Sequence, residues 1–168
     1  ATLSLRLGAT TRTMPLEKFF LTYGKQDRKP GELVWQIEVP KLKSDESFVA
    51  YKISKRFDQD ISAALFALKV TRNGHGILAA RVAMGGMAAT PKRAPKTEAA
   101  LKSIDLKDEA TWQVAIACLS EDFQPISDMR ASAGYRLATA ENLLRKALLE
   151  LSNPKVSTRV ISFEGMTV

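Results

Sequence analysis

The sequence predicts an α+β protein: an antiparallel β-sheet of three to four strands covered on one face by about three helices. Segments rich in Val, Ile, Leu and aromatic residues crowd the first half, namely TLSLRLGA, ELVWQIEV, FVAYKI, SAALFALKV and ILAARVAMGG. Several show the two-residue alternation of a half-buried strand. Helix-forming segments then take over, in TEAALKSI, DEATWQVAIACLSEDF and ASAGYRLATAENLLRKALLEL. Strands first and helices afterwards argue for an antiparallel sheet, because alternating βαβ units would interleave the two. With 168 residues, 45% of them hydrophobic and 26% charged, the chain can bury a core of its own.

Each element has a local reason. In TLSLRLGA, Leu3, Leu5 and Leu7 fall on one face, which makes a strand. After TRTM, Pro15 suits the first turn of a short helix that ends before the loop TYGKQDRKPGE. ELVWQIEV is a strand stopped by Pro40, and KLKSDES is a connecting turn, with a boundary between units at residues 44–47. From Phe48 a strand places Val49, Tyr51 and Ile53 on one face and Lys52 on the other, and the charged run KISKRFDQD then separates it from SAALFALKV. Asn73-Gly74 in TRNGHGI is the pair favoured in a tight hairpin turn, where both positions take positive φ, and ILAARVAMGG is the returning strand. Asp108 offers an N-cap to the second helix. In the third, Tyr135, Ala138, Leu144, Leu148 and Leu151 form the apolar stripe. The tail NPKVSTRVISFEGMTV, after a Pro stop, is weakly specified.

Composition narrows function. The single cysteine, Cys118, excludes an internal disulfide framework and any Cys-based iron–sulfur or zinc site made by this chain alone, and within WQVAIACL it reads as a small buried helix residue. No apolar run reaches the ~18 residues of a membrane span. The start, SLRLGATTRTMPLEKFF, lacks a secretory pattern, so the expectation is a cytoplasmic protein without a membrane partner. Beginning at Ala1 in mid-strand, the chain reads as a piece of a longer polypeptide. The net charge of +7 is spread along it. The densest basic cluster, TPKRAPKTE with Lys92, Arg93 and Lys96, is short and poor in aromatics, which suits a solvated loop and argues against nucleic acid as a partner. His75, the sole histidine, occupies a loop tip without a second His and is no ligand or general base. Phosphate-binding GxxxxGK[ST] and GxGxxG loops, HExxH, CxxC and the nucleophile elbow are all missing from the sequence.

Three polar features remain. In YKISKRFDQD, Lys52, Lys55 and Arg56 face Asp58 and Asp60 across Phe57 at the junction of two strands. A cation fixed on a strand has little freedom to lose on binding an anionic group, although a salt-bridged turn solvating a sheet edge would use the same residues. GGMAATP, from Gly85, ends a strand with two residues lacking Cβ, which allows close backbone approach by a neighbour, as in a structural turn, or by a ligand, as in a binding loop. ISDMRASAGYR places Ser127 and Asp128 before a helix as caps, with Arg130 and Arg136 available to satisfy carboxylates or backbone carbonyls.

Together these motifs resemble the flavin-binding portion of the molybdenum hydroxylase family, and within it the small, FAD-binding and iron–sulfur subunit of the xanthine dehydrogenases, whose last domain is of the CO dehydrogenase flavoprotein C-terminal type. LEKFFLTYGKQDRKPGELVWQIEVP looks like the end of the family's FAD-binding lobe. FVAYKISKRFDQDIS, MGGMAATPKRAPKTEAAL and SDMRASAGYRLATAENLLRKALLEL look like its C-terminal domain. The resemblance implies a remnant of the FAD-binding lobe over residues 1–46, the C-terminal domain over 47–152 and a tail over 153–168. It also implies electron transfer from a molybdopterin centre, where a purine (hypoxanthine or xanthine) is hydroxylated, through two [2Fe-2S] clusters to FAD and then NAD, with this chain owning only the flavin step.

By the same resemblance, Lys52 matches a lysine that touches FAD and Val34 an apolar FAD contact before the IEVP motif. Ile53, Ser54, Lys55, Arg56, Phe57, Asp58, Gln59 and Asp60 match a loop beside the flavin ring that shapes the field there and the access of NAD. Gln59 stands where relatives often carry an acid, which leaves NAD and oxygen open as acceptors. The family's Gly-rich FAD pyrophosphate loops and cluster cysteines have no counterpart here. The implied partners are therefore a missing N-terminal FAD and iron–sulfur portion and a molybdopterin-binding large subunit, and the isolated chain is expected to be inactive and to bind FAD weakly or not at all. Two alternatives stand beside this reading: a CO dehydrogenase or aromatic hydroxylase flavoprotein subunit, and a noncatalytic basic module binding nucleic acid or a protein partner.

Overall fold

The computed structural model describes residues 1–156 and 158. Its first part is a three-stranded antiparallel sheet built from β1 (Thr2–Leu7), β2 (Thr10–Pro15) and, later in the chain, β5 (Leu33–Glu38), in the order β2-β1-β5. Leu3 and Leu5 of β1 are buried with Phe19, as their alternation requires, and Met14 and Leu16 pack on them.

The helix expected from Pro15 shrinks to one 3-10 turn at Leu16–Lys18, because Thr10, Thr11 and Thr13 pair with β1 through a two-residue turn at Gly8 (φ +59°). Their β-branched side chains favour that extended backbone. The expected loop that follows holds a small hairpin of β3 (Phe20–Thr22) and β4 (Lys25–Gln26). It is anchored by Arg12, whose guanidinium grips Glu32 with two hydrogen bonds of 2.7 and 2.8 Å and reaches Asp27 at 3.2 Å.

The second part is a four-stranded antiparallel sheet in the order β6-β7-β8-β9, from β6 (Glu46–Ile53), β7 (Ala64–Asn73), β8 (Gly76–Gly85) and β9 (Lys92–Arg93). The hairpin between β7 and β8 differs from expectation. Asn73 pairs with Gly76, so the central residues are Gly74 and His75, and only Gly74 takes positive φ (+60°). That is the pattern of a turn with glycine at its first central position.

The helices α1 (Pro95–Ala100), α2 (Trp112–Ala117), α3 (Leu119–Asp122) and α4 (Ala133–Ser152) cover one face of this sheet. Asp108 caps the turn before α2, accepting from the Ala110 N–H at 3.0 Å, as its position predicts. The expected second helix is interrupted at Cys118, which is only partly buried at the break between α2 and α3. Burial raises its thiol pKa, and the Glu121 and Asp122 carboxylates push in the same direction.

Phe66, Leu68 and Val70 of β7, Val82 and Met84 of β8, Trp112 and the α4 residues Ala140, Leu144 and Leu148 share one core. The stripe of α4 is shifted from the predicted one: Tyr135 and Ala138 are exposed, whereas Arg136, Ala140, Leu143, Leu144, Ala147, Leu148 and Leu151 are buried. Steps of four counted back from Leu144 through Ala140 land on Arg136, so a charged residue occupies the first position of the apolar face. No described helix is long and apolar enough to cross a membrane. The expectation for the tail lies outside the described residues, apart from 153–156 and 158.

Candidate functional site

Lys52 projects from the sheet face that the helices leave open, as alternation predicts; Val49, Tyr51 and Ile53 pack on the core behind it. Strand register sets its company. Lys52 faces Leu65, Ala50 faces Ala67 and Phe48 faces Lys69, while Ala67 and Lys69 face Ala83 and Arg81 on β8. The open face therefore carries a row of alanines with cations on either side. Lys69 is paired with Glu46 at 2.7 Å, but among the described residues the Lys52 ammonium has no hydrogen-bond or ion-pair partner.

The strand is held from beneath. Tyr51 donates to Glu150 Oε2 of α4 at 2.5 Å and stacks on Phe66, with the Lys146 ammonium 5.1 Å from its ring centre. Burial raises the Tyr51 hydroxyl pKa, and the Glu150 carboxylate pushes it further. Burial alone would raise Glu150 as well, but donors from Thr158, Tyr51 and Lys146 outweigh it and bring that carboxyl down to about 2.

The charged run is a loop closed at its base by the Ala63 N–H donating to the Ile53 carbonyl at 2.7 Å. Within it, the Arg56 N–H donates to Asp60 Oδ2 at 2.9 Å, the Arg56 side chain to the Gln59 carbonyl at 2.8 Å, and Ser54 Oγ to the Arg56 carbonyl at 2.8 Å. The Arg56 N–H holds the Asp60 carboxyl below the usual range, with help from the nearby guanidinium. Gln59 has φ +50°, the only positive-φ residue other than glycine among the described residues, and Phe57 is fully exposed. A bulky L-residue adopts that backbone at a cost, and here the hydrogen bond on its carbonyl holds it there. Lys55 leaves the loop to donate to the Met129 carbonyl at 2.7 Å. Ile53, Ser54 and Lys55 together with Ala63, Arg130 and Tyr135 line an open cleft of about 390 Å³.

Arg136 lies behind the loop and was not expected there. It is 3% exposed; Nη1 donates to the carbonyls of Ala63 and, at 2.9 Å, of Gly86, and Nη2 donates to Asp128 Oδ1 at 2.6 Å. The backbone N–H of Arg130 lowers the Asp128 carboxyl to about 2, and the Arg136 guanidinium adds to this against the opposing effect of burial. The sequence-level expectation that Arg130 and Arg136 satisfy carboxylates or carbonyls is met by both, since Arg130 pairs with Asp128 at 3.3 Å. The N-cap of α4, however, is Ser132, which accepts from the Tyr135 N–H at 3.2 Å; Ser127 instead accepts from the Ala133 N–H at 2.9 Å. Gly86 (φ +78°) is close-packed as expected, for a Cβ there would lie 2.5 Å from the Ala63 carbonyl oxygen. The visible signal for Arg136 was a charge on an apolar helical stripe.

Other candidates fall away from this region. The expected solvated loop at Lys92, Arg93 and Lys96 is instead a short strand and a helix start, with its cations tied locally: Arg93 to Glu98 at 2.5 Å, Lys96 to Glu121 at 2.7 Å, and Lys92 to the Asp122 carbonyl at 2.8 Å. His75 sits exposed at the hairpin tip. Val34 is on β5, opposite Leu5, in a different sheet from Lys52. It lies on a strand exposed along both faces, with Leu33, Trp35 and Ile37 as its neighbours.

Residues 49–151 match the family described as the CO dehydrogenase flavoprotein C-terminal domain. A nicotinate hydroxylase of Emericella nidulans is 34% identical over 142 residues, covering 81% of this chain and 10% of that protein. The glyceraldehyde dehydrogenase medium chain of Sulfolobus acidocaldarius is 32% identical over 152 residues, covering 90% of this chain and 53% of that one. Among solved structures, a carbon monoxide dehydrogenase from Hydrogenophaga pseudoflava that lacks the Mo-pyranopterin moiety of its cofactor superposes with a TM-score of 0.78 at 24% identity, over 86% of this chain and 50% of that one. The chain thus spans about half, or less, of the length of these relatives. Because the matched segment starts within β6 and ends within α4, it encloses Lys52, the charged loop and Arg136. The chain belongs to the CO dehydrogenase flavoprotein C-terminal domain family, the flavoprotein family of the molybdenum hydroxylases.

Proposed function

We propose that the chain is the C-terminal flavoprotein portion of a xanthine dehydrogenase, with a strip of the preceding lobe. In this reading it supports FAD on the electron path from the molybdenum centre through iron–sulfur clusters to NAD during hypoxanthine or xanthine oxidation. The observation that carries the reading is Lys52, an exposed ammonium fixed on a strand inside the matched segment and, among the described residues, without an acceptor of its own. An anionic cofactor is the natural complement of such a cation, and the alanines beside it leave room for a flat group to approach. These residues would furnish one side of an FAD site, and the other side would come from the FAD-binding lobe that the family resemblance implies.

Lys52 would hold an anionic group of FAD, and Val34, in the other sheet, would supply an apolar contact to a part of the cofactor away from Lys52. Residues Ile53 to Asp60 would border the ring, where the balance of Lys55 and Arg56 against Asp58 and Asp60 sets the local field and the access of NAD. When bound, FAD supplies the hydride and single-electron chemistry that protein side chains lack. Lys52 would stabilise negative charge on the bound group, and the hydrogen bonds of Arg56 to Asp60 and to the Gln59 carbonyl would hold those charges in place beside it.

Xanthine dehydrogenases are among the relatives, one of them 28% identical over 150 residues. Relatives named for nicotinate and glyceraldehyde match at 34% and 32%, which fits a part that serves the same flavin step whatever substrate the large subunit takes. A CO dehydrogenase or aromatic hydroxylase flavoprotein is therefore the second reading, distinguished by the partner large subunit. The basic-module alternative predicts salt-dependent DNA retention that does not depend on Lys52; Lys92, Arg93 and Lys96 each have a partner within the domain, which favours the flavoprotein reading. The test is Lys52→Ala in the full-length assembled enzyme. FAD occupancy and NAD reduction are expected to fall together, and unchanged values for both would remove Lys52 from the site.

A further inference from the structure

We propose that Arg136 is a positioning residue that locks the conformation of the 54–62 loop from helix α4. Three segments far apart in sequence meet on its buried guanidinium: Ala63 at the loop's C-terminal base, Gly86 just after β8, and Asp128 in the turn before α4. The closeness is built in, since Gly86 has no Cβ and one placed there would lie 2.9 Å from Arg136 Nη1 as well as against the Ala63 carbonyl.

Inside the loop the hydrogen bonds are short-range, Arg56 to Asp60 and Gln59 and Ser54 to Arg56. Its base is closed by Ala63 to Ile53. Two ties reach further: Lys55 to the Met129 carbonyl, and the Ala63 carbonyl to Arg136 and through it to Asp128. Both end on the same turn, at residues 128 and 129. An apolar side chain at 136 would continue the stripe of α4 but leave the Ala63 and Gly86 carbonyls and the Asp128 carboxylate without their donor, so the arginine serves this junction and not the stripe alone. What arginine adds is a planar fork that can satisfy two carbonyls and a carboxylate at once, which the single ammonium of lysine cannot reproduce in the same geometry.

The lock stands on hydrogen bonds within the chain; its consequence for the cofactor rests on the reading that this loop borders FAD. The experiment separates the two. Trypsin has targets at Lys55 and Arg56, both exposed in the loop. In the 168-residue chain, Arg136→Lys is expected to speed cleavage there by about tenfold or more, as loss of charge-assisted hydrogen bonds raises the open population. Asp128→Asn, which weakens one tie, is expected to give a smaller rise and serves if Arg136→Lys does not fold. Leu144→Ala is the control for general destabilisation, as it opens the same helix's core away from the lock. The proposal is overturned if cleavage at Lys55 and Arg56 is unchanged in the lock variants, or if Leu144→Ala speeds it equally at matched thermal stability. In the assembled flavoprotein, Arg136→Lys is then expected to shift the flavin midpoint potential at unchanged FAD content. Faster loop cleavage with an unshifted potential would leave the lock standing and overturn the placement of the loop beside FAD.

Discussion

Replacing Gly86 by alanine tests the packing on which the candidate site rests. The new Cβ would lie 2.5 Å from the carbonyl oxygen of Ala63, a backbone atom with no rotamer to escape into, and 2.9 Å from Arg136 Nη1, with φ at +78°. Two costs combine. Holding an L-residue in the left-handed region costs ~1–2 kcal/mol, and forcing a methyl group into a filled space costs ~1–3 kcal/mol. The sum, ~2–5 kcal/mol, is a large part of the ~5–15 kcal/mol that stabilises a typical domain. Gly74 provides the reference: its φ is +60°, but nothing lies within 4 Å of a Cβ there, so Gly74→Ala carries the backbone cost alone. Urea unfolding followed by the fluorescence of the buried Trp112 should place Gly86→Ala about 1–3 kcal/mol below Gly74→Ala. Equal stability, within about 0.5 kcal/mol, would refute the close approach of Gly86 to the loop base.

Two further outcomes are expected. The Arg12 guanidinium and the Lys29 N–H hold the Glu32 carboxyl down at about 2. Since that folded value lies below the unfolded value of ~4.3, the stabilisation is fully present above about pH 4.3 and is lost as pH falls toward the folded pKa. Arg12→Gln should therefore narrow the gap between urea midpoints at pH 6 and pH 3 relative to the unaltered chain, and an unchanged gap would contradict the assignment. In the assembled enzyme, Lys52→Ala should weaken FAD binding by up to about tenfold, the scale of one exposed charge-assisted contact, as read by flavin absorbance after dialysis.

Alternation made the sheet legible. Leu3 and Leu5 of TLSLRLGA and the Val49, Tyr51, Ile53 series announced which faces are buried, although Leu7 at the end of β1 is exposed, and Lys52 was placed on the opposite, open face by the same rule. Periodicity failed where the deciding partners carry no identity in sequence. Arg136 was read as a donor to carboxylates or carbonyls, and it is one, but any residue can offer a carbonyl, so that its partners would be Ala63 and Gly86 was not legible. Strand β2 was obscured by Pro15, whose helix-start preference gave way to pairing of three threonines with β1. The hairpin register was off by one because Asn73-Gly74 fits two turn types and the strand pairing chose the one with Gly74 leading. Likewise Gln59, an ordinary polar residue in sequence, takes a left-handed backbone that the Arg56 side chain holds in place.

The central claim is that this chain supplies one wall of an FAD site, formed by Lys52 and the loop that follows it. Photo-crosslinking of the assembled enzyme with an azido-substituted FAD, followed by peptide mass spectrometry, tests that claim directly. The account predicts adducts on peptides spanning Lys52 to Asp60. Efficient labelling confined to peptides outside residues 1–168 would contradict it.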